Sequence, residues 1–154
     1  MPPAQGGTQN QALGHSRGGF TTKIHARTNA DGLPVALILW PGEAHDCTAF
    51  DALMAEREAN PKVMLADKGY NTDDIRGELR LRVAPSEIPT KRNRKVQFSV
   101  SRALYTMRNR IERFFIRLKE RGRVATRYEH TVESFLGFAK LAAIKNWIRF
   151  VHTA

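Results

Sequence analysis

The stretch Tyr105 to Lys119, YTMRNRIERFFIRLK, leaves this chain the least freedom. It holds no Pro and no Gly, and at about 100° per residue it sorts into three stripes of an amphipathic helix. Leu104, Met107, Ile111, Phe114, Phe115 and Leu118 fall on one apolar face. Arg102, Arg110, Arg113, Arg117 and Arg121 fall on the far side. Tyr105, Arg108, Glu112 and Lys119 are spaced by three, four and seven, so they line one border of the apolar face. Glu112 is the only acid in that row. A carboxylate between a buried face and a row of cations is either a structural ion-pair partner or a metal ligand beside a polyanion, and spacing leaves both open.

Charge placement favours a polyanion. The formal net charge is +10, and residues 90–127 hold 13 Lys or Arg against only Glu112 and Glu120. The excess is therefore a local patch, dense enough to repel itself unless a polyanion relieves it. A pI near 10.4 points to nucleic acid before a lipid surface, because no apolar insertion face flanks the patch. A chain of 154 residues with 42% hydrophobic content supports one domain and its core. No apolar run reaches the roughly 18 residues of a membrane helix, and the N-terminus lacks a basic-then-apolar secretory signal. The lone Cys47 excludes an internal disulfide and fits a reducing compartment, so a cytoplasmic protein is expected.

Along the chain, residues 1–19 are rich in Gly, Pro, Gln and Asn and read as a disordered or loop-like lead-in. A single α/β domain is expected over residues 20–150. Thr21 to Thr28 alternates as a strand does, Asn29 to Gly32 is a turn cluster, and Val35 to Trp40 reads as a buried strand, which together predict a β-hairpin. Asp46 or Thr48 caps a helix to about Arg57. Val63 to Ala66 is a short apolar run that ends at Asp67-Lys68-Gly69-Tyr70. Asn71 or Thr72 caps a second helix to about Leu81, and Val83 to Ile88 predicts a further strand. The basic loop KRNRKV precedes the central helix, and a largely apolar helix runs from Thr131 to about Phe150. This order predicts an α/β fold around a mixed sheet. In such sheets functional groups sit past the carboxyl ends of strands, the position of Asp67, which a flexible Gly69 follows.

Asp67 and Glu112 beside a cationic patch suggest a hard-metal site for phosphate chemistry. Mg²⁺ takes a few carboxylate oxygens and keeps waters or phosphates as its other ligands. Two such ions about 4 Å apart activate an attacking oxygen and stabilise a leaving one. Lys119, about 10 Å along the helix axis from Glu112, could hold a neighbouring phosphate. Taken singly, the plainer readings stand beside this one: Asp67 as a turn residue, and Glu112 as a surface ion-pair partner contributing at most about 1 kcal/mol.

The assembled residues resemble a known family. Tyr105, Arg108, Glu112 and Lys119 fit Y-x2-R-x3-E-x6-K, the signature of the Asp-Asp-Glu (DDE) transposases of bacterial insertion sequences, in the group that includes the insertion-sequence-four and insertion-sequence-five families. Asp67-Lys68-Gly69-Tyr70 is similar to the segment around that family's second catalytic Asp. Gly14 to His25, GHSRGGFTTKIH, and Pro41 to Asp46, PGEAHD, are similar to the insertion-sequence-five group. The resemblance spans about Gln11 to Trp147.

It implies a ribonuclease H-like catalytic domain that uses Mg²⁺ or Mn²⁺ to cut and rejoin DNA at an element's ends and in target DNA. Asp67 and Glu112 would be the metal ligands, and Asp67, Glu112 and Lys119 the catalytic set. Lys119 and Arg108 would contact phosphates, with Tyr105 positioning them. Arg113 and Arg117, with Lys91, Arg92, Arg94 and Lys95 of the basic loop, would add non-specific affinity that falls with salt. One departure bears on activity: the family's first catalytic Asp lies on a strand upstream of the GHSRGG-like segment, and residues 1–19 contain no acid. Asp31 and Asp46 are not convincing substitutes. The chain therefore looks like the C-terminal part of the catalytic domain, without its first strand and inactive alone. It would be a truncated relic or the downstream frame of a frameshifted element.

Two other readings compete with this one. Gly14-His15-Ser16-Arg17-Gly18 matches the G-x-S-x-G nucleophile elbow, which needs a strand before the Ser and a helix after it. A loop-like segment precedes it here and a strand-like one follows, so the match is read as chance. The five histidines show no zinc spacing. The second function class is a catalytically inactive basic DNA-binding fragment, which explains the patch but not the shared stripe of Tyr105, Arg108, Glu112 and Lys119. Exposure of part of the final helix would favour association into a homo-oligomer.

Overall fold

The computed structural model describes residues 14–16, 19–55, 60–120 and 132–153. It divides into two compact units, one taking the chain up to Ala44 together with Ile111 onward, the other His45–Arg110.

The first unit is built on a hairpin. Strand β1 (Gly14–Ser16) pairs antiparallel with β2 (Gly19–Thr28), and β2 with β3 (Pro34–Pro41), in the order β1-β2-β3. Gly14–Ser16 thus form a strand inside the stretch read as a lead-in; residues 1–13 lie outside the described residues. Ser16 ends one strand and the next begins at Gly19, so no helix follows it as a nucleophile elbow requires. The turn between β2 and β3 is set by Asn29, whose side-chain oxygen accepts from the Asp31 and Leu33 amides, both at 3.0 Å. Gly32 closes it at φ 78°, where a side chain would be strained. Register runs from Thr22 opposite Pro41 to Ala26 opposite Leu37 and slips at Arg27/Thr28.

Period-2 alternation puts Ile24 and Ala26 on the face that meets Leu37 and Leu39. Two helices cover that face: α4 (Asn109–Lys119) through Phe114 and Leu118, and α5 (Val132–Thr153) through Phe135, Ala139, Ala142 and Ala143. The three alanines let α5 lie close to β3, and Trp147 donates its indole N–H to the Pro34 carbonyl at 2.8 Å. His25 and Arg27 occupy the opposite face of β2 and are buried as well.

The second unit has its own core of Phe50, Met54, Ala66, Ile75, Leu79, Ala84 and Ile88. A 3₁₀ turn, Asp46–Ala49, leads into α1 (Phe50–Ala55); His45 holds the cap position, and no side chain caps the turn, unlike the expected Asp46 or Thr48 cap. The expected extension to Arg57 lies outside the described residues. Strand β4 (Met64–Leu65), α2 (Asp73–Leu81) and β5 (Ser86–Glu87) make a parallel strand–helix–strand unit, with Met64 opposite Ser86. Thr72 caps α2 by accepting from the Ile75 amide at 3.2 Å. Helix α2 ends in a Schellman turn: the Ala84 amide reaches the Leu79 carbonyl at 2.9 Å, and Val83 stands at φ 55°. Among the described residues the strands therefore form an antiparallel three-stranded sheet and a parallel two-stranded one, where a single mixed sheet was expected.

The expected helix over Tyr105 to Lys119 is interrupted. Helix α3 (Arg102–Thr106), capped by Ser101, stops before Met107, and α4 begins at Asn109. The Met107, Arg108 and Arg110 amides each bond a carbonyl three residues back at 3.0 Å, which tightens the chain out of α geometry. No described helix is long and apolar enough to cross a membrane.

Candidate active site and nucleic-acid interface

Ala66 is buried at the end of β4, and the chain turns at Asp67 into the 3₁₀ turn Lys68–Tyr70. Asp67 starts that turn in extended geometry, and its Oδ1 accepts from the Gly69 amide at 2.8 Å. Asp67 is exposed, and among the described residues its other oxygen makes no hydrogen bond. Gly69 is required for space rather than flexibility. A Cβ there would lie 2.6 Å from Asp46 Oδ2 and 2.9 Å from Asp67 Oδ1, so two carboxylates converge over one glycine. Tyr70 packs beside them. Burial first, then the Asp46 carboxylate, then Asp67 and Cys47, push its phenol well above its ordinary value and keep it protonated.

Behind the turn, Asn71 is buried and its Oδ1 accepts from Arg76 Nε at 2.9 Å and Arg94 Nη1 at 3.2 Å. The buried Arg76 also donates to Ser86 Oγ at 3.1 Å and the Ile88 carbonyl, and its guanidinium lies 4.1 Å from the centre of the Phe98 ring. Burial, then the neighbouring Arg94 and Arg80, hold its pKa below the ordinary value. Arg94 pairs with Asp73 as well. The basic loop is thereby tied to the Asp67 turn. Thr90 and Phe98 close its ends, the Phe98 amide donating to Thr90 Oγ1 at 2.8 Å. Lys91, Arg92 and Lys95 remain exposed, whereas Arg94 is half-buried and spent on internal partners.

In the helical stretch, the Arg108 guanidinium lies 5.3 Å from the centre of the Tyr105 ring. Glu112 and Lys119 share α4, and both are exposed, as is Arg113. Arg117 is half-buried, with its Nε unpartnered among the described residues. Asp67 belongs to the second unit and Glu112 to the first. Among the described residues no group of three or more His, Cys, Asp or Glu side chains converges to hold a metal. The donor set at Asp67 still fits a hard cation, which needs only one or two carboxylates when waters and phosphates complete its shell. Sequence reasoning passed over Arg76, and it considered Asp46 as a helix cap and as an unconvincing stand-in for the first catalytic Asp. The small residue at Gly69 was the one local signal that a second side chain needs room there.

The family model described as "Transposase DDE domain" matches residues 2–145. The chain belongs to the DDE transposase family. A Brucella ovis protein described as "Putative transposase for insertion sequence element IS6501" is 34% identical over 131 residues, which cover 84% of this chain and 100% of that protein. No solved structure matches the chain. The likeness to a transposase of an insertion sequence is that of the Brucella ovis protein.

Proposed function

We propose that this DDE transposase serves in cutting and rejoining DNA at the ends of an insertion sequence of the insertion-sequence-five group. The observation that carries the reading is Asp67. It is an exposed carboxylate past the end of a parallel strand, with one oxygen fixed by the Gly69 amide and the other available. Asp67 and Glu112 are the proposed carboxylate ligands. Mg²⁺ or Mn²⁺, when bound, would activate the attacking oxygen and stabilise the leaving one.

The remaining roles belong to the chain's own cations. Arg108, steadied on the Tyr105 ring, and Lys119, exposed on α4, hold DNA phosphates. Lys91, Arg92, Lys95 and Arg113 are exposed and add backbone affinity. Arg94 and Arg117, the other two cations of the expected DNA-binding set, are half-buried. A ribonuclease H-like arrangement fits an antiparallel meander followed by a parallel strand–helix–strand unit, and the protein would act on DNA in the cytoplasm. Leu141, Ile144, Ile148 and Val151 form one exposed stripe on α5 and support self-association.

The chain alone is read as inactive, because residues 1–19 supply no acid to serve as the family's first catalytic Asp. Incubation of the purified protein with supercoiled plasmid and Mn²⁺ tests both parts. Binding without nicking is expected. Mn²⁺-dependent nicking that disappears in Asp67→Asn would establish the catalytic reading and refute inactivity.

A further inference from the structure

Asp46 stands outside the acid set drawn from the sequence, yet it lies against the member of that set found in its own unit. Its position is imposed by the core. Ala49 and Phe50, immediately downstream, are buried, and Thr48 bonds the His45 carbonyl through both its amide, at 3.0 Å, and its hydroxyl, at 2.7 Å. The turn therefore delivers the Asp46 carboxylate to Gly69. There its Oδ2 and Asp67 Oδ1 both lie within 2.9 Å of the point a Cβ would occupy. Two like charges share one small space. That arrangement favours any cation that approaches.

We propose that Asp46 is a positioning residue that acts through Asp67: its charge deepens the negative potential at the Asp67 carboxylate and raises the affinity of that carboxylate for a divalent cation. The proposal rests on the reading of Asp67 as a metal ligand. A unit charge about 5 Å from a divalent ion, in surroundings close to water, changes its affinity by about tenfold. The shape contribution is separate, because Asn in place of Asp46 would fill the same space over Gly69 without the charge.

Mn²⁺ titrations of the full chain, followed by the electron paramagnetic resonance signal of the free ion, test this without any reaction. Asp46→Asn is expected to bind Mn²⁺ about tenfold more weakly than the parent, with unchanged far-ultraviolet circular dichroism. Asp46→Glu, which keeps the charge, is expected to retain most of the affinity and serves if the Asn variant folds poorly. Added KCl should shrink the difference between the parent and Asp46→Asn, because screening acts on charge and not on packing. An Asp46→Asn protein that binds as the parent does, while Asp67→Asn binds weakly, overturns the role of Asp46 and leaves Asp67 as a ligand. So does a difference that KCl leaves unchanged. A parent that binds no Mn²⁺, or an Asp67→Asn protein that binds normally, overturns both.

Discussion

Val83 adopts φ 55° at the end of α2, a conformation that a β-branched residue reaches only under strain. Its side chain is 86% exposed, so it gains little packing in return. Val83→Gly is expected to raise the unfolding free energy by about 1 kcal/mol, measured by urea denaturation. Tyr70 gives a prediction of opposite character. Its folded-state pKa is raised, so the folded protein holds the phenolic proton more tightly than the unfolded chain does. The associated stability is complete below the unfolded value of about 10 and is lost as pH climbs past it. Tyrosinate absorbance should show one of the chain's three tyrosines titrating late, and Tyr70→Phe should remove that step and flatten the alkaline loss of melting temperature. At this scale the sequence was readable wherever a side chain serves its own backbone. Asn29 in its turn, Thr72 at its cap and Asp67 after its strand are all local events. The meeting of Asp46 with Asp67 joins segments about twenty residues apart, and locally only the small residue at Gly69 hints at it.

The basic loop is an element held by a residue outside it. Arg76 bonds Asn71, Ser86 and Ile88 and stacks on Phe98, so α2, β5 and both margins of the loop depend on one guanidinium. Arg76→Met should lower the unfolding free energy by about 3 kcal/mol, since several charge-assisted hydrogen bonds go and their buried acceptors stay. Limited proteolysis should then cut within residues 90–98 sooner than in the parent. Arg94→Ala should do the same to a smaller degree. The apolar and cationic stripes of the central stretch were legible because α4 keeps the spacing of Phe114 and Leu118. Its interruption at Met107 and Arg108 was not. Neither residue is a helix breaker, and three-residue and four-residue hydrogen bonding place the same composition on nearly the same faces.

Over the whole molecule the expected behaviour is electrostatic. The logarithm of the affinity for duplex DNA should fall linearly with the logarithm of salt, by about 0.9 per phosphate neutralised. Arg92→Ala and Lys95→Ala should each reduce that slope by about 1, in a filter-binding or polarisation titration, whereas Arg94→Ala should act mainly through stability. The α/β class and the order of elements were readable, because hydrophobic period and turn residues repeat along the chain. The division of strands between two sheets was not. Strands of two residues such as Met64–Leu65 hold too little pattern to name their neighbours.

The first unit is assembled from the two ends of its chain while the second is one unbroken run. Synthesis therefore completes the second unit's residues first. The hairpin, though made earlier, must wait for Phe114, Leu118 and the alanines of α5 before Leu37 and Leu39 are covered. A chain cut off after Arg110 would carry the residues of the second unit attached to a hairpin whose apolar face is uncovered. Such a nascent chain is a natural client for a chaperone.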